Sequence, residues 1–249
     1  MYKACTAVAA VLLAVAPTHA AEVRLVTPGA LLSSLKALAP PFETASGHTF
    51  KVTLTPAGAV PLRIVAGDPF DVAVMGQRAA NDLEKSGRLA GVTLIARSGV
   101  GVFVRRGDPK PDVSTVAAFT RALLDAKVIM YSDPALGGSA SNYVHELLKR
   151  LDTTGAIVPK IRLAKEYRSI ANNVAAGGID LALNQVTEIM ADARLELVGP
   201  LPAELQRYTT YAVGVVSGSE NAEAGRALIA FLTTPQAREV MRDRGFESK

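Results

Sequence analysis

Tryptophan is absent from the 249 residues, and all aromatic residues together make up 5%. Single-stranded nucleic acid binds on stacked aromatic platforms beside a basic groove, and here the basic residues are scattered along the chain. Nucleic acid is therefore excluded as a partner. The one cysteine, Cys5, lies in the N-terminal segment. The rest of the chain has no means to form a disulfide, a thiolate zinc site or a cysteine nucleophile. Of the three histidines, His145 precedes Glu146, but Lys149 stands where a zinc-protease helix places its second ligand. No metal and no other cofactor is expected. There is no Gly-x-Ser-x-Gly elbow and no phosphate-binding loop, which removes the common hydrolase and nucleotide signatures.

Long apolar runs are also missing. Lys3, the apolar stretch Ala7–Ala16 and the small residues Thr18-His19-Ala20 have the three-part form of a secretory signal. Residues 1–20 are predicted to be that signal peptide, with the mature chain starting near Ala21 or Glu22. The run is too short to span a bilayer, and no later segment reaches the required length. Stable membrane insertion is thus not expected; export to the periplasm is. The formal net charge of +4 drops by one when Lys3 leaves, giving a mildly basic surface suited to anions.

What is present is a regular alternation of strand and helix patterns, the mark of an α/β fold. Val23–Val26 reads as a strand, then Leu31, Leu35 and Leu38 share one helical face, with Pro40-Pro41 just beyond it. Phe50–Leu54 alternates as a strand and Pro61 opens a short helix before the buried strand Val72–Met75. Ile95–Val104 is apolar, carries Gly99 and Gly101, and suits a crossing between two lobes. Ser114 is expected to cap the following helix. Val144, Leu147, Leu148 and Leu151 form the stripe of a later one. Tyr208–Val215 suits the return crossing. Two α/β lobes follow: a discontinuous first lobe of residues 21–98 plus 210–249, and a second of residues 99–209. A single doubly wound domain is the other arrangement this length allows.

Helix beginnings carry partial positive charge and unpaired N–H groups, so small-residue turns after strands are candidate anion sites. Three such turns recur: Gly29-Ala30-Leu31, Gly58-Ala59 and Gly138-Ser139-Ala140. Ser139 and Ser141 add hydroxyls, although an ordinary serine cap after a flexible turn has the same residues. Arg63, on the short helix after the second turn, either clamps a carboxylate or is a solvated surface residue. Asn184-Gln185 ends a buried strand, where two amides face whatever the strand edge binds. Asp68 and Asp71 read as turn-forming and capping groups.

The order of Gly58-Ala59 through Arg63-Ile64, Gly67-Asp68-Pro69-Phe70-Asp71-Val72, Ser132-Asp133-Pro134-Ala135, Gly178-Ile179-Asp180 and Phe231-Leu232-Thr233 ahead of Gly245-Phe246 resembles periplasmic solute-binding proteins of the molybdate-binding type. The resemblance implies a type II periplasmic binding fold: mixed sheets flanked by helices, with the ligand between two lobes. It implies binding of a small oxyanion or carboxylate and delivery to an inner-membrane ABC transporter permease. Thr55-Pro56-Ala57-Gly58, Met75-Gly76 and Asn184-Gln185 stand where that family's ligand serines and tyrosine fall, which points away from molybdate. The runs Asp133–Ser141 and Leu197–Gln206 are similar to a subgroup that includes aconitate isomerase. That likeness implies an alternative, a cofactor-free proton shift between two carbons of an unsaturated tricarboxylate. A shift of this kind needs a base, and His145, Tyr131, Lys165 and Glu188 are candidates.

Overall fold

The computed structural model describes residues 20–166, 169–190 and 192–247. The expected leader, apart from its last residue, lies outside the described residues. From Glu22 onward the chain alternates strand and helix: β1 (Glu22–Thr27), α1 (Leu32–Ser46), β2 (Thr49–Leu54), α2 (Val60–Val65), β3 (Val72–Gly76), α3 (Gln77–Lys85) and β4 (Leu89–Arg105). There follow α4 (Val116–Asp125), β5 (Ile129–Ser132), α5 (Ser139–Leu151), β6 (Ile161–Ala164), α6 (Ser169–Ala176), β7 (Leu181–Gln185) and α7 (Val186–Ile189). The last elements are β8 (Leu195–Pro200), β9 (Tyr208–Val216), α8 (Ala222–Leu232) and α9 (Pro235–Arg242).

Parallel neighbours need a crossover connection, here through helices: β1 lies parallel between β2 and β3, and β5 parallel between β6 and β7. β4 joins the two groups. Its first part, Leu89–Gly99, pairs antiparallel with β9, which also pairs with β3. Its last part pairs antiparallel with β7 over Val100–Phe103 and with β8 over Gly101–Arg105. The Gln206 side chain acts as a short strand at the change of partner. Its Nε2 donates to the Val100 carbonyl and its Oε1 accepts from the Val100 N–H, both at 2.9 Å.

The inner strands β3 and β7 are buried on both faces, whereas the edge strands β2 and β6 are much more exposed. In β3, Val72 and Val74 enter one core with α1 and α8, while Ala73 and Met75 enter another with α2 and α3. In β7, Leu181 and Leu183 pack on α4 and α5, and Ala182 packs on α6.

Two local expectations are corrected. α1 does not stop before Pro40-Pro41 but contains both, ending at Gly47 with φ 71°. Its apolar stripe continues from Leu38 to Phe42, which packs against Phe50 and Phe231 at ring-centroid distances of 5.7 and 5.5 Å. That burial outweighs the backbone bonds that two prolines forfeit. α4 is capped by Thr115, not Ser114: Thr115 Oγ1 accepts from the Ala118 N–H at 3.1 Å.

Asp71 does more than form a turn. Its carboxylate is fully buried and accepts from the Arg24 backbone N–H at 2.7 Å and from the Arg24 guanidinium at 2.8 and 3.0 Å. Ser219 Oγ and Asn221 Nδ2 complete the set at 2.8 and 3.3 Å. Burial alone would raise its pKa, but these donors together hold it well below the usual carboxylate range.

Candidate functional site

A cavity of about 420 Å³ lies where the two strand groups meet. Its walls follow from chain direction. The C-terminal ends of all six parallel strands supply lining residues: Gly29 beyond β1, Thr55 beyond β2, Gly76 of β3, Ser132 of β5, Glu166 beyond β6 and Asn184 of β7. Open α/β sheets bind ligands at this edge, because there the chain turns from strand into helix and points N–H groups outward.

Three helix starts at this wall are not capped by their own side chains. Gly76 precedes α3, Gly138 precedes α5 and Gln185 precedes α7, each without a side-chain cap bond. Away from the cavity, α4 and α9 are capped by Thr115 and Thr234, while α8 begins after Asn221 without a side-chain cap bond. Ser141 is buried and lines the cavity, but its hydroxyl donates to the Gly138 carbonyl at 2.8 Å. Ser139 Oγ lies 2.9 Å from Thr209 Oγ1, joining α5 to β9 across the cleft.

The structure brings Gly29, Gly138, Ser139, Ala140, Asn184 and Gln185 onto the cavity wall. Ala30, Leu31, Gly58, Ala59 and Arg63 are not on it. Ala30 and Leu31 are completely buried in the core under α1, because a side chain at a helix entry turns inward while the preceding backbone faces out. Gly58 touches Gly137 at the edge of the cleft. Arg63 is engaged elsewhere: Nε reaches Asp68 at 2.5 Å, Nη1 donates to Thr55 Oγ1 at 3.0 Å, and the guanidinium stacks over Phe70. Its candidate partner is thus an internal carboxylate, with Thr55 between it and the cavity.

Asn184 is held by its own strand end. Its Oδ1 accepts from the Gln185 N–H at 2.8 Å and its Nδ2 donates to Glu188 Oε2 at 2.9 Å. Gln185 Oε1 accepts from the Tyr211 hydroxyl, which also lines the cavity. Of the four candidate bases, Glu188 is on the wall. Tyr131 and His145 instead bond each other at 2.6 Å within the core of β5 and α5, and Lys165 is outside the lining. Burial, with Asp133 and Glu146 nearby, pushes the Tyr131 phenol up to about 12.

Sequence reasoning missed Ser132, Glu166, Asn172, Asp192, Arg194 and Tyr211. Ser132 and Glu166 carry a usable signal, since both follow directly from a parallel strand's end. Asp192 and Arg194 form a bidentate pair at 2.6 and 2.9 Å on the loop before β8, and Arg194 also reaches Asn172 at 2.9 Å. Nothing in the local pattern of that loop announces a cavity.

A two-lobed α/β molecule with a ligand-sized cavity at the strand ends defines a binding protein of the clamshell class. The chain belongs to the family of bacterial extracellular solute-binding proteins, whose model matches residues 23–247. It is 30% identical over 252 residues to the aconitate isomerase of a Pseudomonas species, covering 97% of this chain and 95% of that protein. Its fold matches the periplasmic molybdate-binding protein of Azotobacter vinelandii, with TM-score 0.73, 20% identity and coverage of 91% and 99% of the two chains. It also matches the sulfate-binding protein SubI of Mycobacterium tuberculosis, with TM-score 0.71, 18% identity and coverage of 91% and 86%. Among the described residues no helix is long and apolar enough to cross a membrane.

Proposed function

We propose that this solute-binding protein captures a small organic carboxylate in its cleft, in the periplasm, and presents it to an inner-membrane ABC transporter permease. The observation that carries the reading is the convergence of six strand ends on one cavity with helix starts that lack side-chain caps. Such backbone N–H groups favour negative charge and need no cation. A cavity of about 420 Å³ is within the usual range for small organic ligands, and a tetrahedral oxyanion would fill little of it. Relatives that bind molybdate or sulfate support an anion; the aconitate isomerase relative supports a carboxylate.

In this reading the lobes are residues 21–98 plus 210–249 and residues 99–209, the leader is residues 1–20, and closure turns on Gly99–Val104 and Gly199–Ala212. Thermal-shift and calorimetric screening of the mature chain against aconitate isomers, other di- and tricarboxylates, sulfate and molybdate tests it. Saturable binding of carboxylates supports the proposal. Binding of inorganic oxyanions alone refutes the carboxylate assignment.

Glu188 supports a second reading, because it is the candidate base that lines the cavity. This reading requires an ionised Glu188 and so excludes a neutral acid at that position: the carboxylate would take a proton from the methylene carbon of aconitate, the C–H electron pair forming the new C=C bond. The old double bond's electrons then take a proton at the far carbon, and nothing is oxidised or reduced. Absorbance assays starting from each isomer decide this: turnover without added metal supports isomerisation, and binding without turnover rejects it.

A further inference from the structure

The charges around the cavity pose a problem for any anion. Glu166, Glu188 and Asp192 line it, against Arg194 as the one basic lining residue described. Asp192 is already matched by Arg194, and Glu166 is exposed at the mouth. Glu188 is different. It is half-buried, it forms no ion pair among the described residues, and its carboxylate accepts from the neutral Asn184 amide.

The elements packed on α7 do not supply a countercharge. The turn Gly29–Leu31 and β7 carry no charged side chain. Arg97 and Arg105 of β4 are bonded to Glu247 and Asp108, and Glu196 of β8 is bonded to Lys110. Gly245 packs directly on Val186, so that side is closed by backbone. An ionised Glu188 would therefore repel the very ligand that the helix starts attract.

We propose that Glu188 is present in the cleft as a neutral carboxylic acid and donates its proton in a hydrogen bond to a carboxylate of the ligand. The cleft then recognises organic carboxylates by sharing one proton with them, in place of an arginine clamp. Burial, which pushes the Glu188 carboxyl up against the smaller opposing effect of Asn184, agrees with this geometry. The proposal rests on the anion reading of the cleft and adds its selectivity. An ionised carboxylate is a strong acceptor and makes a short O–H···O bond with a neutral acid, whereas sulfate is a much weaker base and accepts that hydrogen bond less well.

Calorimetry of trans-aconitate with the mature chain and with Glu188→Gln, from about pH 6.5 to about pH 9, tests the assignment. Over that range the ligand is largely ionised, so the protein's own titration sets the slope. The wild type is expected to lose affinity with rising pH, approaching tenfold per unit once Glu188 ionises. Glu188→Gln, which keeps the shape and an N–H donor, is expected to bind within about threefold of the wild type's low-pH value and to show no slope. Tight wild-type binding that is flat with pH overturns the proposal and leaves the cleft reading standing. Absence of carboxylate binding at every pH in both proteins overturns the cleft reading, and this one with it. If Glu188→Gln does not fold, a 13C titration of the unliganded wild type replaces it. A Glu188 carboxyl titrating at the ordinary value overturns the proposal.

Discussion

Gly58 and Gly137 meet backbone to backbone across the cleft: a methyl group added at Gly58 would lie 3.2 Å from the Gly137 Cα. Gly58 follows β2 and Gly137 precedes α5, so this contact joins the two strand groups directly. Gly137 has φ 75°, a conformation that itself favours glycine. Gly58 has an ordinary φ and is exposed. Gly58→Ala is expected to lower thermal stability modestly, because the added methyl meets backbone atoms at 3.2 and 3.3 Å and the two strand groups must move apart to admit it. It should weaken ligand affinity about tenfold by spreading the cleft at this contact. Melting curves and calorimetry on the one variant read both effects.

Ser139 is the first residue of α5, and Gly138 before it is extended at φ −75° and ψ 131°. Proline is tolerated at that position and after such a residue. Ser139→Pro should preserve the helix while deleting one N–H from the cavity wall. The expected outcome is an affinity loss of about tenfold with near-normal circular dichroism. Ser139→Ala, which keeps the N–H, should cost less than about fivefold. Equal losses in the two variants would assign the role to the hydroxyl.

Asp71 sets the acid stability of the first strand group. Its carboxyl is held below the value it has in the unfolded chain, so its contribution is complete above about pH 5 and is lost as pH falls. Asp71→Asn should destabilise by about 3 kcal/mol at neutral pH, leaving Arg24, Ser219 and Asn221 with a poorer acceptor. Chemical denaturation at pH 7 and at about pH 3 should show the variant's deficit shrinking in acid.

The place of Arg63 on α2 allows either a carboxylate clamp or a solvated surface residue, yet its guanidinium is committed to Asp68, Thr55 and Phe70. Arg63→Ala is expected to change ligand affinity less than about threefold and to lower stability by about 1 kcal/mol. A loss of binding above tenfold with stability intact would restore it as a ligand clamp.

These cases mark what pattern reading reaches. Strand–helix alternation and the turn after each strand are local, so the α/β architecture, the positions of Gly29 and Asn184 at strand ends and that of Ser139 at a helix start were readable. Side-chain direction within a turn is not local: Leu31 is buried by α1 and its core, while Gly29 two residues earlier faces the cavity. Nor are pairings between distant residues. Asp71 joins a strand 47 positions away, and Tyr131 finds His145 within the second core, which removes both from the cavity. The prolines of α1 misled for the same reason, since Phe42 is held by Phe231 from the far end of the chain.

The most direct test is an amide NMR titration of the mature chain with trans-aconitate. Saturable shifts concentrated at Ser139, Ala140, Gln77 and Val186, the first residues of the helices on the wall, are predicted. Shifts clustered instead in the small apolar groove of Gly91, Val216 and Arg226, or spread evenly over basic surface residues, would contradict the account.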